Sequence, residues 1–244
     1  MRIIQISDCH LFADKDDEAY EVKPYASLRD VLVAAAKLSP DALLITGDIS
    51  GDNSEQSYQH INQLITDYCP NVPWRVLPGN HDNNAHFMTV LGHKGLNASQ
   101  LWEHEHCVIG GLDTRWRGAS GKLYPSQLVT LSKSLAQTSK PAILALHHPP
   151  YPLQGWMQKH QVINSDVFPP WLALQPRIKL IVHGHLHAET STQIAQRPVL
   201  GVPSTCWQFT LSANFGTSNL GPGMGLITIN DTGKITTETV RISV

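Results

Sequence analysis

The chain has little cysteine, little net charge and no long apolar run, and each shortage removes a class of function. Its four cysteines, Cys9, Cys69, Cys107 and Cys206, are scattered and form no C-x-x-C pair. That spacing excludes a zinc ribbon and argues against a disulfide framework in a chain of 244 residues. Reduced thiols are expected. Lysine and arginine number 18 against 20 aspartates and glutamates, for a formal net charge of −2. No cationic surplus exists to grip a phosphate backbone, so a nucleic acid polymer is not an expected partner. No apolar stretch approaches the ~20 residues that cross a bilayer, which removes a membrane span. The opening Met1-Arg2-Ile3-Ile4-Gln5-Ile6 runs into a strand-like segment without an apolar leader core or a small-residue cleavage site. These shortages together point to a cytoplasmic protein, folded as one domain over residues 1–244.

What is abundant is histidine, with 13 copies. Imidazole is the commonest metal ligand and titrates near neutral pH, so metal chemistry gains weight. The hydrophobic pattern alternates between strand and helix. Short β-branched or apolar runs at 2–7, 42–46, 74–77, 106–112, 142–146 and 178–182 read as strands. Helical patterns fill 27–38, 54–68 and 126–138, with Ser27, Ser54 and Ser126 as expected caps. The last sixty residues turn strand-like at 197–202, 224–230 and 234–242, with a turn at Asn230-Asp231-Thr232-Gly233 that predicts a hairpin. An α/β fold satisfies both halves: two packed mixed β-sheets flanked by helices.

Five polar clusters sit directly after strand-like runs: Asp8-Cys9-His10, Gly47-Asp48, Gly79-Asn80-His81-Asp82, His147-His148-Pro149-Pro150 and Gly184-His185-Leu186-His187. Strand ends in α/β folds converge on one edge of a sheet, where ligands bind. Asp-x-His and His-x-His each put two donors on one face of an extended segment. Each cluster alone has a bland reading as a turn or a polar strand end; five in succession do not. Mixed imidazole and carboxylate donors suit manganese, iron or zinc better than calcium or magnesium. The set is too large for one tetrahedral ion and suits two ions that share a carboxylate.

This series resembles the calcineurin-like metallophosphoesterase superfamily, whose fold is an α/β/β/α sandwich. The motifs span residues 8–187, and every expected ligand position is filled. The resemblance implies that Asp8, His10, Asp48 and His187 bind one transition metal, and that Asp48, Asn80, His147 and His185 bind the other. Asp48 is then the shared ligand. It also implies that His10, Asp48, Asn80, His81, His147 and His187 contact a phosphate substrate. His81 would be the catalytic residue that stabilises charge and protonates the leaving oxygen, oriented by Asp82. Asp82 could equally cap a helix over 83–91. His147 rather than His148 is taken as the ligand; His183 is read as structural and Cys9 as pointing into the core. His60, His86, His93, His104, His106 and His160 carry no pattern and read as surface or loop residues.

Further segments resemble the bacterial class III 3′,5′-cyclic-nucleotide phosphodiesterases. They are Asp8-Cys9-His10-Leu11-Phe12, Ser57-Tyr58-Gln59-His60, Ser204-Thr205-Cys206-Trp207-Gln208-Phe209, and Gly233-Lys234-Ile235-Thr236-Thr237-Glu238. That likeness implies hydrolysis of cyclic AMP to 5′-AMP by metal-activated water, and a homodimer. Trp207 or Phe209 could stack on a base and Gln208 could read its edge, although aromatics more often fill a core. The competing expectations are a diesterase of broader taste (glycerophosphodiesters, 2′,3′-cyclic nucleotides), a metal-free scaffold of the same fold, and a DNA nuclease. Retention of every ligand and the short, faintly acidic chain disfavour the last two.

Overall fold

The structure, a computed structural model, describes residues 1–243. Two sheets face each other. In the first, strands β1 (Arg2–Ile6), β2 (Ala42–Ile45) and β3 (Trp74–Val76) run parallel. The late strands β12 (Gly223–Ile229) and β13 (Ile235–Arg241) extend it antiparallel, in the order β13-β12-β1-β2-β3. The second sheet has the order β4-β5-β6-β7-β9-β8. Its centre is parallel: β5 (Val108–Leu112), β6 (Ala142–Leu146), β7 (Ile178–His183) and β9 (Arg197–Gly201). The edge strands β4 (Trp102–Glu103) and β8 (Thr190–Ile194) pair antiparallel. A short ribbon of β10 (Gln208–Phe209) and β11 (Thr217–Ser218) stands apart.

Side-chain alternation decides the layering. Ile3 and Leu44 point between the sheets and meet Ile109, Ile143, Ala145, Leu180 and Val182 of the second sheet. Their neighbours Ile4, Ile6, Leu43 and Ile45 point outward, beneath Leu28, Val31 and Leu32 of helix α1 (Pro24–Lys37) and Ile61 and Leu64 of α2 (Glu55–Tyr68). On the far side, Val108, Leu144 and Leu146 lie under Leu128, Leu131 and Leu135 of α4 (Pro125–Ala136) and Phe168 and Leu172 of α5 (Phe168–Ala173). Strands buried on both faces read as continuous apolar runs, as β1, β2 and β6 do. The expected sandwich of two mixed sheets between helices is what the chain forms.

The helix starts differ from expectation in an instructive way. Ser54 does cap α2, accepting from the Ser57 amide at 3.1 Å. Helix α1 starts earlier, at Pro24, and the Ser27 hydroxyl instead donates to the Thr205 carbonyl at 2.6 Å. Helix α4 likewise opens on Pro125 rather than behind Ser126. Proline at the first helical position sacrifices no hydrogen bond and presets φ, so it wins over a serine cap a residue or more later. The helix expected over 83–91 is α3 (Ala85–Leu91), capped by Asn84 and not by Asp82. Helix α5 escaped the periodic reading because it is one and a half turns long and carries Pro169 and Pro170 in its first turn. The hairpin expected at 230–233 joins β12 to β13, its turn held by Asn230 Oδ1 accepting from the amides of Thr232 and Lys234. Among the described residues no helix is long and apolar enough to cross a membrane.

Candidate metal centre

All five polar clusters lie beyond the C-terminal ends of parallel strands: Asp8 after β1, Asp48 after β2, Asn80 after β3, His147 after β6, and His185 with His187 after β7. The facing sheets bring these ends together. Asp48 sits between the two halves, with Oδ2 3.8 Å from His10 Nε2 and 3.4 Å from His147 Nε2. His147 Nε2 is 3.2 Å from Asn80 Oδ1. On the other flank His187 Nε2 lies 3.0 Å from His10 Nε2 and 3.6 Å from Asp8 Oδ1. The His185 ring is 5.2 Å from that of His147, centre to centre. All seven residues expected as ligands are therefore gathered in one place. Six are buried and Asn80 is half-buried.

The backbone is bent to make this possible. Asp8, His10, Asp48, His185 and His187 all have φ between 45° and 70°. Non-glycine residues rarely take the left-handed region, and a cluster of them marks strain held for a purpose. Two glycines let the bends pack. A side chain at Gly79 would run into the Asp48 carboxylate, and one at Gly184 into Ser7 and Asp8.

The donor set suits bound metal ions by its hydrogen bonding. His147 Nδ1 donates to the Thr46 carbonyl at 2.7 Å, His187 Nδ1 to the Trp207 carbonyl at 2.9 Å, and His185 Nε2 to the His160 carbonyl at 3.2 Å. A backbone carbonyl on one ring nitrogen fixes the tautomer and leaves the other nitrogen's lone pair for a cation. The electrostatics agree. Burial lowers His10 well below the usual imidazole range, and its neighbour His187 adds to this. Burial works against charging His147 too, yet the Asp48 carboxylate outweighs it and pushes His147 up to about 9. Burial also opposes ionisation of Asp48, and His147, His10 and His81 together hold it well below the carboxylate range. Asp8, deeper still, is raised by burial, with only partial relief from His187 and His147. Two buried carboxylates brought together in one pocket favour positive charge at their centre. The residues fit a pair of cations.

His81 is the exposed member. Its amide donates to Asp48 Oδ1 at 2.8 Å, and its ring meets that of His10 edge-on at 4.7 Å. Asp82 requires a correction. It does not reach the His81 ring. Its carboxylate folds back under the turn Asn80–Asp82 and accepts from the amides of Gly79 (2.8 Å), Ile49 (3.1 Å) and Ser50 (3.3 Å) and from the Tyr58 hydroxyl (3.0 Å). Buried amides without another acceptor compete successfully for a nearby carboxylate. Asp82 thus fixes the turn that presents His81. Burial, then the nearby Asp48, raises it to about 6.

Other side chains surround the centre. His148, left open by the sequence, lies against His185 with the rings tilted and 4.5 Å apart, its Nδ1 2.8 Å from Thr114 Oγ1, and burial with the neighbouring His147 lowers it to about 3. His183 keeps its structural role, against Tyr151 and Thr190. Cys9 points into the core beneath α1 and α2, as expected. His60 is not a surface residue: it is buried, with Nδ1 3.2 Å from the Phe12 carbonyl and its ring against Tyr25. Trp207 and Phe209 do not face outward to stack on a base. Trp207 stacks on the His10 ring at 5.0 Å and Phe209 on the His187 ring at 4.5 Å. Gln208 is buried and spends its amide on the carbonyls of Ser204 and Cys206. Sequence reading missed Tyr58 and Arg115 as supports of the Asp82 turn; Arg115 donates to the Asp82 carbonyl at 2.9 Å. A tyrosine on the apolar stripe of α2 was the available signal for the first. Nothing in the sequence marked the second.

The model of the calcineurin-like phosphoesterase family matches residues 1–189. The 3′,5′-cyclic adenosine monophosphate phosphodiesterase CpdA of Escherichia coli (strain K12) is 32% identical, covering 100% of this chain and 90% of the relative. The protein of the same name from Haemophilus influenzae is 30% identical, covering 99% and 90%. Among solved structures, a dimetal phosphatase from Danio rerio superposes with a TM-score of 0.67 over 99% of both chains, at 12% identity. The purple acid phosphatase PPD1 of yellow lupin seeds superposes at 0.63, over 98% of this chain and 51% of that one, also at 12% identity. At such identities the structural likeness speaks for the fold.

Proposed function

This chain belongs to the calcineurin-like phosphoesterase family, and from that premise we propose that it hydrolyses 3′,5′-cyclic AMP to 5′-AMP at the centre described above. The observation that carries the reading is the gathering of seven donor residues from five strand ends, with the Asp48 carboxylate between the two halves. The full-length likeness to proteins named as cyclic AMP phosphodiesterases supports the choice of diester.

Asp8, His10, Asp48 and His187 would hold one cation, and Asp48, Asn80, His147 and His185 the other; iron, manganese and zinc all suit such donors. When bound, such a pair supplies Lewis acidity that activates water and neutralises the phosphate. The chain's own residues do the rest. Asp48, charged in its nest of imidazoles, sets the spacing of the two halves. Hydrolysis forms one bond from water oxygen to phosphorus, breaks the bond from phosphorus to O3′, and leaves a proton on O3′. His81, exposed beside His10 and steadied through its amide on Asp48, would deliver that proton. The Asp82 network holds the turn that aims it. Four buried thiols, with none paired, suit the reducing cytoplasm, which we propose as the compartment. A homodimer is proposed with it on the resemblance to the cyclic-nucleotide group; sedimentation velocity tests it.

The experiment is an assay of metal-reconstituted protein on cyclic AMP, 2′,3′-cyclic nucleotides and glycerophosphodiesters, with elemental analysis of the same sample. The expected result is the highest kcat/KM on cyclic AMP and two metals per chain. Slower turnover of cyclic AMP than of every other diester overturns the substrate, and failure to load a transition metal overturns the centre.

A further inference from the structure

The aromatic residues nearest the metal ligands are committed to packing, yet the rim beside them is aromatic and open. Phe215 is 54% exposed and Tyr20 is 50% exposed. Their rings lie 6.2 Å apart, centre to centre, and Phe209 lies beneath both, at 5.6 Å from Phe215 and 5.9 Å from Tyr20. Phe209 itself stacks on His187. The open pair is thus one ring removed from a ligand of the centre.

Neither ring is there by looseness. Phe215 rides on the connection between β10 and β11. That loop is closed by the Thr210 amide donating to the Gly216 carbonyl at 2.8 Å. Trp156 pins it from outside: its amide donates to the Ser212 carbonyl at 3.2 Å and its indole to the Thr210 carbonyl at 2.8 Å, while its ring meets Phe215 edge-on at 5.0 Å. Tyr20 and Glu21 both have left-handed backbones, with φ of 51° and 62°. That strain turns the Tyr20 ring over Trp207, at 4.9 Å. Leaving a large apolar side chain half in water forgoes part of the stabilisation that full burial would bring. Holding two of them there, on a pinned loop and a strained turn beside a reaction centre, calls for an occupant with a flat π face.

We propose that Tyr20 and Phe215, floored by Phe209 and buttressed by Trp156, form the subsite on which the purine base of the substrate stacks. The inference rests on the cyclic AMP reading and extends it to the residues that tell a nucleotide from a bare phosphodiester. Stacking gives affinity for a planar ring with little choice among bases. Gln208, spent on backbone carbonyls, adds no edge recognition.

The test separates the subsite from the parent reading. Metal-loaded protein is titrated calorimetrically with 5′-AMP and with ribose 5-phosphate, which lacks the base, and cyclic AMP turnover is measured on the same samples. Wild type should bind 5′-AMP about tenfold more tightly than ribose 5-phosphate. Phe215→Leu should erase most of that advantage and raise KM for cyclic AMP more than it lowers kcat; Phe215→Trp should retain it. Tyr20→Leu should behave like Phe215→Leu. No base advantage in wild type, or one that survives both leucine variants, overturns the subsite whatever the turnover. A Phe215-dependent advantage in a protein that leaves cyclic AMP intact supports the subsite and removes the substrate assignment.

Discussion

The two ends of this sandwich are built from the same strands and do opposite things. At the C-terminal ends of the parallel strands the core gives way to buried carboxylates and imidazoles on left-handed backbone. At the N-terminal ends the space between the sheets stays apolar: Ile3, Ala42, Ile143 and Ile229 pack there with the thiol of Cys107. The contrast teaches where the tension in the fold is kept. Two buried carboxylates sit among crowded imidazoles at one end, an arrangement that bound cations would relieve further.

The sharpest way to break the comparison is to remove the charge on which both halves of the centre converge. Asp48→Ala should lower kcat on the order of 10³-fold or more, because the shared carboxylate and the anchor of the His81 amide go together. Steady-state turnover with excess metal checks this, and activity within tenfold of wild type would show that no shared ligand is needed. Metal removal should come next. A single cation held at ~100 times its dissociation constant stabilises the native state by about 2.7 kcal/mol. For a chain of this length that corresponds to a melting temperature on the order of 5–10 °C higher than after chelation. A scan with and without chelator that shows no difference would mean that the C-terminal end is as relaxed as the other. Tyr58→Phe is a smaller perturbation. It takes one donor from the buried Asp82 carboxylate and an acceptor from Asn84. Urea unfolding should register a loss of ~1.5–3 kcal/mol, while kcat falls less than tenfold because three amides still hold the carboxylate.

How legible each end was follows from the same contrast. The central strands were readable because they are largely buried on both faces and read as mostly apolar runs, and the candidate ligands were readable because each cluster follows directly on such a run. Helix starts were less so: Ser27 and Ser126 are good caps locally, but Pro24 and Pro125 set the boundary and tertiary partners claimed the Ser27 hydroxyl. What short-range pattern could not disclose was direction. Asp82 is adjacent to His81, yet its carboxylate turns to amides thirty residues earlier in the chain. For Trp207 and Phe209 the sequence left base stacking open beside the commoner reading as packing residues, and they lie flat on His10 and His187. Tyr20 and Phe215, without a motif around them, turned out to be the open pair. Such assignments depend on which groups the packing leaves without a partner, and that is a property of the assembled sandwich.

The smallest expected effect belongs to the quiet end. Cys107 lies just before β5, fully buried, and burial pushes its thiol from the ordinary 9.0 up to about 11, with Lys140 and the N-terminal ammonium offsetting part of the rise. A folded thiol that resists ionisation binds its proton where the unfolded chain has released it. Its contribution to stability is therefore complete below pH 9 and is lost as pH climbs toward about 11. Cys107→Ala removes both the sulfur's packing and this titration. Urea midpoints of wild type and variant should lie furthest apart at pH 8 and draw together as pH rises above 9. A gap that stays constant through that window would mean that the thiol ionises alike in both states. The N-terminal end would then be wetter than its burial implies, and the contrast between the two ends would be one of charge alone.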